Sequence, residues 1–317
     1  MDKKISLFLD SGAHSLYTAN VIKKQHQEGY GFYDTEDFWR YVDEYAEFVK
    51  TYKEYIDVYV NVDVIFDPDR SHKVQKYLET KHGLSPLPVI HYGSKPKYLE
   101  RCLGNYNYIG LGGLGQEVTY RQYVTWADQM WNIICDTKDR LPICKVHGFA
   151  MTSLRFMLRY PWYSVDSTSW VMTSRMGSIY MPQYKDNKWI YDENSWKICL
   201  SSRSPDKSEI GKHISTLPQD VVNLITTYLS MKGYKIGKSE FKIIQSAKKY
   251  KLKENERWFN KQNDDGTREV EIIIEDGLCN NYKLRDEMNI IYYLDLEKSL
   301  PKWPWPYKPQ GVQGFQL

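Results

Sequence analysis

"ICKVHGFAMTSLRFMLRYPWYSVDS", residues 143–167, contains one complete repeating unit of the fold. A β-branched run, "ICKVHGF" (143–149), passes into an amphipathic stretch, "TSLRFMLRY" (152–160), and then into a second short run, "YSVDS" (163–167). Strand, helix and strand in that order form a crossover whose two strands lie parallel in one sheet. The same alternation precedes it, with strand candidates "ISLFLD" (5–10), "DVYVNVDVI" (57–65), "LPVIHYG" (87–93) and "YIGLGG" (108–113). Helical periodicity fills "TEDFWRYVDEYAEFVKTYKEY" (35–55), where Phe38, Tyr41, Val42, Tyr45 and Val49 recur behind a Thr35 N-cap, and "TYRQYVTWADQMWNIICD" (119–136). Six such strands before residue 170 favour an α/β fold, a (β/α)8 TIM-like barrel, over an open doubly wound sheet. No GxGxxG fingerprint follows the first strand, which weakens a dinucleotide-binding reading.

Composition sets the outer limits. A chain of 317 residues suffices for one large domain or a domain with an appendage. A net charge of +3 names no nucleic-acid partner by itself. The 27 tyrosines against 10 phenylalanines suit clefts with wet edges. Five scattered cysteines without a CxxC pair read as reduced thiols. No apolar run spans a membrane, and "MDKKISLFLDSG" is broken by Asp10 too early for a signal peptide. A cytoplasmic protein is expected. Beyond residue 200 the character changes to a polar connection (201–220), a helix (220–234), a lysine-rich stretch to Lys261, a turn and strand (264–277) and a helix (282–300). The expected division is therefore a barrel over 1–200 and a lysine-rich α+β extension over 201–317. The "PKWPWPYKPQ" tail (301–310) reads as a clasp on the barrel or an oligomer contact, which leaves room for a homodimer.

The strands end on Asp10, Asp63, His91, Gly112 with Gly113, His147 and Asp166. In a (β/α)8 barrel the C-terminal strand ends form the rim that carries the site, so these groups are expected to converge. Each has a plainer reading as well: Asp10 as a helix cap, Asp67 before Pro68 as a turn initiator, the glycines as a tight turn. Histidines His14, His91 and His147 allow a metal-dependent hydrolase as an alternative, although neither HExxH nor HxH is present. No cofactor and no metal are expected.

Taken in order, "LDSGAHS", "VDVIFDP", "VIHYG", "YIGLGGLGQE" and "KVHGFAMTSLRFMLRYPWYSVDSTSW" resemble the tRNA-guanine transglycosylase family over about residues 5–170. The zinc motif of that family has no counterpart here, so the chain looks more like its DNA-acting deazaguanine branch, known from phages and bacteria. The resemblance implies replacement of guanine in a polynucleotide, DNA favoured over tRNA, by a 7-deazaguanine of the preQ0 or preQ1 kind. If the chain is phage-encoded, the host cytoplasm is implied.

By the resemblance, Asp166 is the nucleophile and Asp10 the acid/base. Ser11 lies in the base-binding turn. Asp63, or Asp67 in a shifted alignment, reads the guanine edge, and His91 stands where the family has Gln. Gly112, Gly113 and Leu114 match the backbone segment at the base. His147 lies at the rim, and Phe149 or Met151 supplies apolar cover. Hydrogen bonds from Ser167 or Thr168 are expected to keep Asp166 ionised. Lys248, Lys249, Lys251, Lys253, Arg257 and Lys261, interleaved with Tyr250 and Trp258, are expected to track the phosphate backbone, the plain alternative being a solvated helix face. A non-catalytic nucleic-acid-binding barrel is the remaining alternative.

Overall fold

The computed structural model describes residues 6–22, 30–113, 118–204 and 210–309. The chain divides into two compact units, residues 1–167 with 301–317, and residues 168–300. The division thus falls at 167/168 and not at 200, and the tail belongs with the first unit.

The strands of the first unit are β1 (Phe8–Leu9), β2 (Val58–Tyr59), β3 (Val89–His91), β4 (Tyr108–Gly112), β5 (Lys145–Gly148) and β6 (Ser164–Val165). β3 to β6 form a four-stranded parallel sheet in sequence order, β1 pairs parallel with β2, and a single parallel bridge, Val60–Leu87, links the two groups. The helices are α1 (Ala13–Tyr17), α2 (Glu36–Thr51), α3 (Pro68–His82), α4 (Pro96–Leu103), α5 (Tyr120–Ile134) and α6 (Leu154–Arg159). Their starts follow the sequence. Thr35 Oγ1 accepts the Phe38 N–H at 3.4 Å, and Thr119 with Gln122 forms a reciprocal capping box.

Alternation along the strands sorts two faces. Ile90, Ile109, Leu111 and Val146 pack with α4 and α5 residues such as Leu99, Tyr123 and Met130, while Leu9 joins the α2 and α3 core around Phe38, Val42 and Leu78. The opposite face gathers Phe8, Val58, Val60, Leu87, Val89, Tyr108 and Phe149. On this face the Phe8 and His147 rings stack with centroids 4.3 Å apart. They stand on β1 and β5, four strand spacings or about 19 Å apart in a flat sheet. The parallel strands therefore curl, and their second face becomes a concave inner surface.

The tail returns to this unit through Tyr307. Its side chain is fully buried, its hydroxyl donates to Asp128 Oδ1 at 2.8 Å, and its N–H donates to Arg140 O at 2.9 Å. Asp128 also receives Arg159 and Tyr160, so one carboxylate ties tail, α5 and α6 together.

The second unit holds α7 (Ser169–Arg175), β7 (Ser178–Met181), β8 (Gln183–Lys185), β9 (Lys188–Ile190), β10 (Trp196–Cys199), α8 (Gln219–Met231), β11 (Lys238–Ile244), β12 (Glu256–Trp258), β13 (Arg268–Glu275) and α9 (Tyr282–Ser299). Its pairings are antiparallel, β7 with β10, β8 with β9, and β13 between β11 and β12. The lysine-rich stretch thus holds β11 and β12, a short 3-10 helix at Ala247–Lys249 and connecting loop, with no α-helix among its described residues. All five cysteines are buried free thiols. Among the described residues no helix is long and apolar enough to cross a membrane.

Candidate active site

Inner-facing positions at the C-terminal ends of the strands are Asp10 after β1, His91 on β3, Gly112 on β4, Phe149 after β5 and Asp166 after β6. Asp63 joins them from the segment after β2, where it is buried and hydrogen-bonded to His91 Nε2. Asp67, the other candidate for that place, instead caps α3, accepting the Arg70 N–H at 2.9 Å and pairing with its guanidinium at 2.7 Å.

Asp166 is held from three directions. Its N–H donates to Gly148 O, its carbonyl accepts from the Met151 N–H, and its Oδ1 accepts the Ala150 N–H at 2.9 Å. Ala150 reaches this geometry with φ of 61°, an uncommon conformation for a residue with a Cβ. Behind the carboxylate runs a polar chain. Tyr108 Oη lies 2.5 Å from Ser164 Oγ, which lies 2.7 Å from His147 Nδ1, and His147 Nε2 stands 3.5 Å from Asp166 Oδ1. If Tyr108 donates to Ser164 and Ser164 to Nδ1, the imidazole N–H is left facing the carboxylate. Burial works to raise the Asp166 pKa, but His147 and the Ala150 amide outweigh it and hold the group below its ordinary value. Thr152 Oγ1 donates to Ser167 Oγ at 2.7 Å.

Asp10 is pushed the other way. The surrounding protein removes water from its carboxylate, and the negative charges of Asp63 and Asp166 add to the effect. The Ser11 N–H, donating to Asp10 Oδ1 at 2.8 Å, offsets part of it, and the pKa ends above its ordinary value. Asp63 and Asp166, from two other strand ends, therefore both lie within electrostatic reach of Asp10.

Glycine and hydroxyl positions complete the surface. Gly12 adopts φ of 75°, and a Cβ there would meet Tyr41 Oη at 2.7 Å; that hydroxyl donates to Ser11 O. Gly113 has φ of 94°, and a Cβ would sit 2.7 Å from Tyr92 N. A Cβ on Gly110 would run into the Phe149 ring, and one on Gly112 would stand 3.5 Å from His91 Nδ1. Ser11 Oγ and His91 Nδ1 are buried and make no hydrogen bond among the described residues, which leaves two polar positions for a bound molecule.

Met151 does not join this group. It is fully buried in the core that α4 and α5 share with the sheet, so the apolar cover on the inner face is Phe149. Leu114 lies outside the described residues. His14 sits exposed on α1, and among the described residues no three His, Cys, Asp or Glu side chains are placed to hold a metal ion. In the second unit Lys248, Lys249, Lys251, Lys253 and Lys261 are exposed. Arg257 is engaged by the buried Glu271 at 2.8 Å and by Asn280 O. Sequence reasoning missed Tyr108, Ser164, Ala150 and Phe66. Phe66 follows Asp63 with φ of 64°, is 48% exposed, and its ring centroid lies 6.2 Å from that of His91. The period-two spacing of Tyr108, Gly110 and Gly112, and of Ser164 and Asp166, carried the signal for two of these.

No family model, curated protein or solved structure matches the chain.

Proposed function

We propose that the first unit is a guanine transglycosylase site, exchanging guanine in a polynucleotide for a 7-deazaguanine through a covalent intermediate on Asp166, and that its curled sheet is the wall of a (β/α)8-type barrel. The observation that carries the reading is the pair Asp10 and Asp166, two carboxylates on separate strand ends with pKa values displaced in opposite directions. Such a split supports Asp10 as the acid and Asp166 as the ionised nucleophile of one site.

The step balances on these residues. The extruded nucleotide presents C1′ to the Asp166 oxygen not held by Ala150. A C1′–O bond forms as the C1′–N9 bond breaks, the electron pair leaves with guanine, and protonated Asp10 supplies its proton. The incoming deazaguanine gives its N9 proton to Asp10, and N9 displaces Asp166 from C1′. This is the double displacement of retaining glycosyl transfer, and it requires ping-pong kinetics. Asp63, His91 and Ser11 would read the base edge, with Phe149 and the exposed Phe66 ring flanking its faces. DNA is favoured as the polymer because the sequence has no counterpart of the zinc motif of the tRNA-acting enzymes.

The test is incubation of the purified chain with labelled guanine or a 7-deazaguanine and either DNA or tRNA. Label in DNA supports the reading, label in tRNA alone replaces the polymer, and label in neither polymer overturns it.

A further inference from the structure

Away from the three carboxylates, a narrow cleft opens between α3 and α4, floored by β3. Its lining includes Asn61, His72, Gln75, Tyr98, Arg101 and Tyr106. Three of these carry buried polar atoms that no protein group satisfies: Asn61 Oδ1, Gln75 Oε1 and Arg101 Nε. Asn61 and Gln75 are 1% and 2% exposed, so the cost of leaving their oxygens unpaired is that of a buried acceptor, about 1–3 kcal/mol each.

The orientation of both amides is fixed by their other ends. Asn61 Nδ2 donates to Ser71 O at 3.0 Å, while Gln75 Nε2 donates to Pro86 O at 2.8 Å and to Glu79 Oε1 at 3.0 Å. Turning either amide over would set oxygen against oxygen, so the free atoms are acceptors. The Asn61 backbone N–H donates to Leu87 O, the residue after Pro86, so both residues are tied to one stretch of chain. Across the cleft Arg101 has no carboxylate partner among the described residues, and its guanidinium stacks over the Tyr98 ring at 5.3 Å. The cleft therefore offers two acceptors and one charged donor.

We infer that this cleft binds a small planar molecule of the amide, urea or lactam class, with N–H groups facing Asn61 and Gln75 and a carbonyl accepting from Arg101. A simple anion would suit Arg101 but would bring no proton to the two amide oxygens. A single six-membered lactam ring supplies both kinds of group on one edge, and Tyr98 and Tyr106 provide aromatic surface beside it. The inference stands apart from base exchange at Asp166, since no residue is shared between the two sites.

The test is a titration of the full chain with uracil, read by NMR at the Asn61 and Gln75 side-chain amides, with inorganic phosphate as the second arm. Saturable uracil shifts at both amides are expected. Arg101→Lys keeps the positive charge but removes the Nε donor, and should weaken uracil about tenfold or more. Gln75→Glu, with a thermal melt to confirm folding, should weaken it as well by removing the anchoring NH2 group. Shifts with phosphate and none with uracil would overturn the proposal in favour of an anion site. No saturable shift with either would also overturn it, leaving a cleft that holds solvent only.

Discussion

At Asp10 and Asp166 the opposed pKa displacements set a pH profile. In the proposed exchange the first half-reaction needs Asp166 ionised and Asp10 protonated, so kcat/KM should fall on the acid side as Asp166 takes up a proton, at a pH lower than for an ordinary aspartate. It should fall on the alkaline side as Asp10 loses its proton, at a pH higher than for an ordinary aspartate. Removing His147 takes away part of what holds Asp166 low. His147→Ala should therefore move the acid limb to higher pH and leave the alkaline limb in place, as steady-state profiles of the two proteins would show. Asp166→Ala should lower exchange by roughly a thousandfold or more and abolish any trapped protein–nucleic-acid adduct on a denaturing gel. Stability follows with opposite signs at the two groups. The Asp166 contribution is present above the unfolded-state pKa and is lost as pH falls through its lowered value. Asp10 disfavours the folded state once pH has risen past its unfolded value. Melting curves should accordingly show Asp10→Asn more stable than the parent at pH 7, with the gain gone at pH 3.

Glycines in the strand ends make the next scale testable. Gly113 combines a left-handed φ with a backbone nitrogen 2.7 Å from where a Cβ would go, and neither can relax through a side chain. Gly113→Ala should cost about 1–3 kcal/mol in denaturant unfolding. These elements were legible in the sequence to different degrees. β3 to β6, α2 and α5 announce themselves by period and cap, and the strand-end reading picks out Asp10, His91 and Asp166 because strand alternation projects them all to one side. It could not separate Asp63 from Asp67. That choice rests on where α3 begins, and the cap at Asp67 is visible only once Arg70 is placed. Met151 escaped for a similar reason. Ala150 turns left-handed just before it, and the inward alternation of β5 ends at Phe149. The lysine-rich stretch hid its strands because the covered face of β11 is only half-buried and carries Ser239 beside Phe241, which gives little apolar contrast with the exposed Lys238, Glu240 and Lys242.

Over the whole molecule the unit boundary was the least legible feature, since nothing local marks a chain that leaves one compact body at 167 and returns to it at 301. The return depends on Tyr307. Its ring lies 5.8 Å from Tyr160 and 6.3 Å from Trp131, and its hydroxyl completes the Asp128 cluster. Tyr307→Ala should destabilise the first unit by about 3–5 kcal/mol, read from the melting of that unit. Within the second unit the first and last helices are bonded, Asn289 Nδ2 donating to Trp170 O at 2.9 Å. This arrangement bears on synthesis. The six parallel strands emerge from the ribosome first, yet the residue that locks α5 to α6 from outside is made only after all of 168–300. The inserted unit can fold on itself while the earlier sheet is still waiting for its last tie, so the nascent first unit should stay exposed to chaperones and proteases until translation passes residue 307.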